Sequence, residues 1–158
     1  VCDCADALQL ARVADAEAQV AASNISSSNR GEDPNAAMDY AAAPAVLFTY
    51  PQYGMVGKTE QALTDDGVAY EKSAADHLNW PTYKRVGLRS AAYKVLVDSQ
   101  GLVLGAHVLS DSATGLINTF AMAMKNNISV NALHDQSVMT PYPSRESDII
   151  YMLKPLLV

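Results

Sequence analysis

The sequence is poor in the residues that build disulfide frameworks and metal sites. Its two cysteines, Cys2 and Cys4, are one residue apart, and side chains at that spacing on an extended chain have too little slack for a disulfide. The three histidines (His77, His107 and His134) have no zinc-ligand spacing with them, so no metal site is predicted. Two reduced thiols favour a reducing compartment, and we expect the protein to be cytoplasmic.

Basic residues and long apolar runs are also scarce. Lysine and arginine total 11 against 17 acidic residues, and the net charge of -6 argues against the concentrated basic surface that binds nucleic acid. No run approaches the roughly 18 apolar residues that span a bilayer, so no membrane segment is predicted. No basic segment followed by an apolar stretch indicates a secretion signal. Because the chain begins at Val1 rather than at methionine, we expect a fragment or a processed product.

Motifs for phosphate binding and nucleophilic catalysis are missing as well. The glycines of VLGAH (103–107) and YGMVGK (53–58) lack the spacing and the strand-to-helix context of a phosphate loop. No serine or cysteine has a credible neighbouring base. His107 lies in an apolar run typical of a strand, and we interpret it as a core or edge histidine rather than as a ligand.

What is present is a clear succession of strand and helix patterns. Alanine-rich residues 5–25 predict a helix, and the polar stretch 26–35 predicts a loop. The strongest local pattern is AAYKVLVD, SQG and LVLGAHVLS, whose two alternating arms predict a β-hairpin over 91–110. Further strands are predicted over 44–50 and 68–76, and helices over 60–66, 112–126, 129–135 and 144–153.

These elements predict the fold class. Strands first and helices after them are typical of an α+β domain, an antiparallel β-sheet with helices packed on one side. The helix over 112–126 is expected to pack one face on the sheet, formed by Leu116, Ile117, Phe120, Met122 and Met124. The residues by themselves predict no more than such a domain with apolar faces.

Two long segments carry a resemblance that goes further. VLFTYPQYGMVGKTE (46–60) fits a pattern of an apolar strand, FT-x-P, four variable residues and VG-x-TE, and residues 93–133 supply a hairpin, an LGAH strand and a long helix. Both segments resemble the C-terminal dimerisation domain of the pyridine nucleotide–disulfide oxidoreductases. These flavoenzymes include dihydrolipoamide dehydrogenase, glutathione reductase and mercuric reductase. The resemblance implies the fold of that dimerisation domain over residues 36–158.

The beginning of the chain resembles the segment that closes the FAD-binding domain of the same enzymes. The resemblance implies that Asp3 hydrogen-bonds the ribityl chain of the flavin. It also implies that Gln9, Leu10 and Ala11 lie near the isoalloxazine ring. Residues 1–35 are therefore interpreted as a tail of the FAD-binding domain with a linker.

The resemblance also implies what the parent enzyme contains. Its FAD- and NAD(P)-binding domains and its CxxxxC redox pair would precede Val1, so FAD and NAD(P)H belong to the full-length enzyme and neither is expected on the fragment. In a homodimer, this domain would supply part of the partner subunit's active site across a two-fold interface. We expect the parent to be an FAD-dependent oxidoreductase and the fragment to be inactive, because the path from nicotinamide through flavin to disulfide is incomplete.

The stretch TPYPSRESD (140–148) is where the sequence departs from that family. Typical members have HPT, two residues and E there: a histidine that exchanges protons with the thiolates and a glutamate that orients it. In this chain Tyr142 takes the histidine position and Ser147 takes the glutamate position. A phenol with a reference pKa of about 10 shuttles protons poorly near neutral pH, although it donates hydrogen bonds or binds a metal. Tyr142 and Ser147 are the predicted catalytic positions, both substituted.

Three functions stay open at this point. The first is a dihydrolipoamide dehydrogenase-like flavoprotein whose electron acceptor is not a dithiol. The second is mercuric-reductase-like chemistry, since those enzymes are similar to this chain in carrying a tyrosine at the histidine position. They end in paired cysteines, however, whereas this chain ends in KPLLV. The third is a dimerisation module without catalysis.

Overall fold

The computed structural model describes residues 4–157, which fall into two compact units. The first unit ends at Ala43 and the second begins at Pro44. Each unit has its own internal contacts, and they are described separately below.

The first unit is built on one helix, α1 (Ala11–Asn29). The sequence predicted this helix over 5–25 and a loop from residue 26. The helix instead runs four residues further, and the guanidinium of Arg30 explains why its last turn holds. Arg30 donates hydrogen bonds to the hydroxyls of Ser26 and Ser27 at 2.6 and 3.3 Å. Because these hydroxyls are engaged by a side chain, they do not compete for the backbone hydrogen bonds of the helix.

The second unit is a five-stranded antiparallel sheet. The strands lie in the order β1-β2-β5-β4-β3, and each pairs antiparallel with its neighbours. The predicted single strand over 44–50 is wrong in one respect: the chain turns back after three residues and a second strand follows. Their bounds are β1 (Ala45–Leu47), β2 (Gln52–Gly57), β3 (Glu71–Ala75), β4 (Ala92–Val97) and β5 (Val103–Ser110).

The hairpin of β4 and β5 is confirmed. Asp98 closes its turn, because one carboxylate oxygen accepts from the backbone N–H groups of Gln100 and Leu102 at 2.8 and 2.9 Å. Gly101 takes a positive φ of 74°, which glycine adopts without steric cost.

Helices cover one face of this sheet. The longest, α4, contacts β1, β2 and β5, and α6 contacts β3 and β4. Together they enclose the main buried core, which includes Val95, Ala106, Phe120 and Met152. The predicted α+β class with helices on one side is therefore confirmed. The helices of this unit are α2 (Glu60–Asp65), α3 (Pro81–Lys84), α4 (Ala113–Lys125), α5 (Val130–Ser137) and α6 (Ile149–Leu153).

Helix α4 lies close to the sheet because β2 carries a glycine beneath it. A methyl group at Gly54 would lie 2.5 Å from the Cγ1 atom of Ile117, so a larger residue would push the helix away. Leu116, Ile117 and Phe120 are fully buried, as predicted. Met122 was predicted on the same face, and this is wrong: its side chain is 66% exposed because two residues turn it about 200° around the helix from Phe120.

The short helix α2 covers one end of the opposite face of the sheet. Leu96 of β4 points there, since side chains alternate along a strand and Val95 and Val97 face the main core. Leu63 of α2 is also fully buried and lies outside that core. Thr59 caps α2 as expected, because its hydroxyl accepts from the N–H of Ala62 at 3.1 Å.

Candidate functional site

Residues 140–148 form a turn between α5 and α6. Residues 141–143 are exposed, and the peptide bond between Tyr142 and Pro143 is cis. Tyr142 is 68% exposed and makes no hydrogen bond within residues 4–157. The first predicted catalytic position is therefore directed away from its own domain.

Ser147, the second predicted position, is buried in the same turn. Its hydroxyl donates to the backbone carbonyl of Ser144 at 2.7 Å, and its N–H donates to the Ser144 hydroxyl at 3.1 Å. Ser147 thus closes the turn and makes no hydrogen bond to Tyr142. The structure does not join the two substituted positions into a pair.

Arg145 and Asp111 are a site feature that the sequence reading missed. Arg145 donates through Nε and Nη2 to the two carboxylate oxygens of Asp111 at 2.6 and 2.8 Å. The guanidinium also lies 4.1 Å above the ring of Tyr83. These hydrogen bonds hold the pKa of the Asp111 carboxyl below its usual range and raise the pKa of Arg145, so both groups stay charged.

A fully buried acid, Asp148, lies three residues after Arg145. Thr82 donates a short hydrogen bond to one carboxylate oxygen of Asp148, and the other oxygen has no hydrogen-bond partner among the described residues. Burial raises the pKa of Asp148. The neighbouring Tyr83 is fully buried, and burial raises its pKa to about 12, so it stays a neutral phenol.

Gly115 of α4 makes room for the remaining acid of the turn. A methyl group at Gly115 would lie 1.9 Å from Oε1 of Glu146, so the glutamate side chain occupies the space beside the helix. Glu146 is half-buried there. The acid between Arg145 and Ser147 therefore points toward α4 and does not replace the missing orienting glutamate beside Tyr142.

The predicted flavin-contacting residues lie at the start of α1 in the first unit. Asp3 is outside the described residues. Gln9 and Ala11 are exposed, and Leu10 is the residue before the first helical turn. Among residues 4–157, no side chain caps this helix end, so the N–H groups of its first turn remain available as donors to a ligand.

A cleft of about 550 Å³ opens on the sheet face opposite the main core. Tyr53 and His107 line it, and the tyrosine hydroxyl lies 3.3 Å from Nδ1 of the histidine. The other ring nitrogen of His107 lies 3.3 Å from the carbonyl of Lys58, and burial lowers the pKa of the ring. His107 is thus a half-buried strand histidine with protein partners, in agreement with its interpretation.

Glu60 organises the charges beside this cleft. Its carboxylate accepts from Lys72 at 2.7 Å, from Lys94 at 2.6 Å and from the hydroxyl of Tyr70 at 3.1 Å. The two lysines lower the pKa of Glu60 to about 2. These bonds hold α2 to β3 and β4. Within residues 4–157, no group of three or more His, Cys, Asp or Glu side chains is placed to hold a metal ion.

Several large apolar side chains of the second unit remain exposed. Three lie in β1 or between β1 and β2, one lies on α4, and three lie between α5 and residue 146; β1 and residues 146–148 contact α4. Exposed apolar side chains that form one contiguous surface mark a site that binds another protein. We call this set the apolar rim: Leu47, Phe48, Tyr50, Met122, Val138, Met139 and Tyr142.

An antiparallel sheet with its main helices on one face, together with the exposed apolar rim, is typical of an α+β domain that associates with another protein. A family model for the dimerisation domain of the pyridine nucleotide-disulphide oxidoreductases matches residues 43–149. The chain belongs to this family. The predicted resemblance is therefore confirmed, and with it the identification of the chain as a dimerisation domain of oxidoreductases.

The similar proteins differ in how much of them this chain spans. It is 35% identical over 149 residues to an uncharacterized 19.7 kDa protein in the mercuric resistance operon of Staphylococcus aureus, of which it covers 79%. It is 33% identical over 141 residues to mercuric reductase of Shigella flexneri, but covers 24% of that enzyme. It is 31% identical over 93 residues to dihydrolipoyl dehydrogenase 2 of Arabidopsis thaliana and covers 18% of it. The chain thus spans about a quarter or less of these two enzymes.

Solved structures show the same fold over nearly the whole chain. LpdA from Mycobacterium tuberculosis superposes with a TM-score of 0.82 at 26% identity, over 99% of this chain and 33% of LpdA. The flavoprotein disulfide reductase RclA from Escherichia coli, solved as a Cu(II) complex, gives a TM-score of 0.82 at 18% identity. That alignment covers 99% of this chain and 34% of RclA, and at this identity it shows the fold alone.

Proposed function

We propose that the chain forms the two-fold interface of a homodimeric, FAD-dependent flavoprotein that takes electrons from NAD(P)H. The observation that carries this proposal is the apolar rim of a chain that belongs to a family of dimerisation domains. Phe48, Tyr50 and Met139 are 76%, 79% and 81% exposed, and such large side chains are stabilised when a second copy covers them. A two-fold interface would bring each rim against the same surface of the partner.

In this dimer, Tyr142 would reach the active site of the partner subunit. It is one of the two tyrosines of the rim, with Tyr50, and its hydroxyl makes no hydrogen bond within the described part of its own chain. A phenol in that position can donate a hydrogen bond to the acceptor. We propose an electron acceptor other than a dithiol, since the histidine that exchanges protons with the thiolates in typical family members is replaced by Tyr142 in this chain.

The start of α1 would contact the flavin. The uncapped N–H groups of its first turn and the exposed Gln9 and Ala11 fit a position beside a flavin ring, whose carbonyl oxygens accept hydrogen bonds. Asp3, Gln9, Leu10 and Ala11 would hold the cofactor from this side, in a segment that belongs to the FAD-binding domain up to residue 35. FAD would supply the electron transfer, and NAD(P)H would bind to another domain of the enzyme. We place the enzyme in the cytoplasm.

Mercuric ion is the second candidate acceptor. Two of the proteins similar to this chain are mercuric reductase and a protein of a mercuric resistance operon, and their alignments cover 89% and 94% of this chain. A tyrosine at position 142 is compatible with a metal-ion substrate, because a phenol oxygen binds metals. A dimerisation module without catalysis is the third candidate, and it requires the apolar rim but not Tyr142.

Sedimentation equilibrium of the purified chain tests the interface. We expect a dimer at micromolar concentration, and we expect Met139→Asp to weaken association at least 100-fold because the carboxylate must lose water in the interface. The matched control is Val86→Asp, since Val86 is an exposed valine outside the rim, at 48% exposure. A monomer at high micromolar concentration, or equal effects of the two variants, would refute the interface.

A chimera tests the chemistry. The chain is joined to the FAD- and NAD(P)H-binding domains of the Shigella flexneri mercuric reductase, and reduction of Hg²⁺ and of lipoamide is measured with Tyr142 and with Tyr142→Phe. If Tyr142 acts on the acceptor, turnover falls at least tenfold while the flavin content stays the same. Equal turnover in both chimeras would leave only the dimerisation role. Tight, stoichiometric flavin on the chain alone would contradict the boundary at residue 35.

A further inference from the structure

The segment that carries Tyr142 has no attachment of its own to the core. Residues 141–143 are exposed and make no hydrogen bonds within the described chain. Before them, the N–H of Thr140 donates to the Ser137 carbonyl at 3.0 Å. After them, two hydrogen bonds between Ser144 and Ser147 close the turn. The direction of Tyr142 therefore depends on what holds residue 145.

The side chain of Arg145 is held by two residues, Asp111 and Tyr83. Its side chain is 8% exposed, and its two parallel hydrogen bonds to Asp111 measure 2.6 and 2.8 Å. A bidentate pair fixes the plane of the guanidinium as well as its distance, and the ring of Tyr83, 4.1 Å away, fixes the side on which that plane lies. A point charge such as a lysine ammonium would fix neither the plane nor the side.

The support under Arg145 belongs to the folded core. Tyr83 is fully buried in α3, and its hydroxyl donates at 3.3 Å to the hydroxyl of Ser110, the last residue of β5. Asp111 is the next residue, so the ion pair joins the end of a central strand to the turn. Thr82 of α3 bonds Asp148. Arg145 and Asp148 thus both contact side chains of α3.

We propose that Arg145 and Asp111 are positioning residues for Tyr142: their ion pair fixes the residue three positions after the tyrosine and so sets the direction in which the phenol leaves its own subunit. The inference rests on the proposed role of Tyr142 in the partner's active site, whereas the geometry it describes belongs to this chain. A buried ion pair contributes little to stability compared with apolar residues of equal size. Its orienting effect is therefore the better account of why this pair is here.

Backbone order measured by ¹⁵N relaxation of the dimeric chain tests the inference. In the unmodified protein the amide of Tyr142 should have an order parameter of about 0.85, which is typical of a rigid backbone. Arg145→Met and Asp111→Asn should lower it below about 0.6, while the amides of Val95 and Ala106 in the sheet stay unchanged. The control is Lys58→Met, which removes an ion pair with Asp66 at 2.7 Å in the same unit.

Each outcome distinguishes a positioning role of the Arg145–Asp111 ion pair from a contribution to stability alone. If the variants lower the melting temperature but leave the Tyr142 amide as ordered as before, or if that amide is mobile in the unmodified protein, the positioning role is wrong. Should Arg145→Met fail to fold, Arg145→Lys keeps the charge and loses the planar fork, and it should give the same loss of order. Full order in Arg145→Lys would overturn the proposal.

The chimera separates this inference from the proposed function. If both hold, Arg145→Lys lowers kcat at least threefold and leaves the KM for NADPH and the flavin content unchanged. If Tyr142→Phe has no effect on turnover although Arg145→Lys loosens the turn, the proposed role of Tyr142 fails and the positioning geometry stands. If Tyr142→Phe lowers turnover and Arg145→Lys changes neither order nor kcat, the positioning inference fails.

Discussion

Replacing Phe120 with alanine tests how helix α4 lies on the sheet. Phe120 is fully buried in the main core, opposite the strands β2 and β5. Truncating a buried phenylalanine removes apolar contacts and leaves a cavity, which costs about 3–5 kcal/mol of unfolding free energy. Because a domain of this size has about 5–15 kcal/mol in total, the variant should lose a large share of it, and its melting temperature should fall by roughly 10–20 °C.

The matched variant is Met122→Ala, two residues further along the same helix. Met122 is 66% exposed, so its loss should change the unfolding free energy of the monomer by less than about 0.5 kcal/mol. Met122 belongs to the apolar rim, however, so its replacement by alanine should weaken dimerisation. The sequence pattern had placed both residues on the face that packs on the sheet. If that were so, both variants would lower the unfolding free energy of the monomer, whereas the observed helix orientation predicts a large loss for Phe120→Ala alone.

Urea unfolding followed by tryptophan fluorescence is the measurement. Trp80 is the single tryptophan and lies against Tyr83, Tyr93 and Tyr151, with ring centroids 5.4–6.0 Å away. The experiment is repeated at a tenfold higher protein concentration, because dimerisation makes the midpoint depend on concentration. A loss below about 1 kcal/mol for Phe120→Ala, or an equal loss for Met122→Ala in the monomer, would refute the described packing.

Three further variants probe the backbone and the buried acids. Gly105→Ala should cost about 1–3 kcal/mol or more in the same urea assay, because its methyl group would lie 2.0 Å from the carbonyl oxygen of Lys58, which is backbone and cannot move aside. Asp148 has a raised pKa in the folded state, so ionising its carboxyl lowers the unfolding free energy above that pKa. Because asparagine does not ionise, the unfolding free energy of Asp148→Asn should increase relative to that of the unmodified protein as the pH rises from 4 to 7. An unchanged difference would contradict this. Asp111 has a lowered pKa in the folded state, so its carboxylate stabilises the fold above its unfolded pKa, and this stabilisation is lost as the pH falls through the folded pKa. The loss of unfolding free energy caused by Asp111→Asn should therefore become smaller in acid. Urea midpoints of both proteins between pH 2 and 7 would show this.

Part of the candidate site could be predicted from the sequence, because its residues are neighbours along the chain. The resemblance identified the turn over 140–148 and the two substituted positions, Tyr142 and Ser147, whose catalytic roles stay predictions. The ion pair between Arg145 and Asp111 was missed, since its members are 34 residues apart and each alone is an ordinary charged residue. The available signal was Arg145 itself, the one basic residue of the stretch 140–148 that precedes the final helix.

The sequence by itself determined the local elements and the family. Period-2 alternation and the SQG turn were enough to predict the hairpin of β4 and β5, because a hairpin joins two strands that are neighbours in the sequence through a short turn. Thr59 capped α2 for a similarly local reason. Several motifs in the right order were enough to identify the dimerisation domain.

Only the tertiary structure decided which surfaces face each other. It ended the predicted strand over 44–50 at Leu47 and added β2 after it, and it turned Met122 away from the sheet. It also placed α2 on the face opposite the other helices, and it joined Asp111 to Arg145 above a buried tyrosine. These features depend on contacts between segments far apart in the chain, and local propensity carries no information about such contacts.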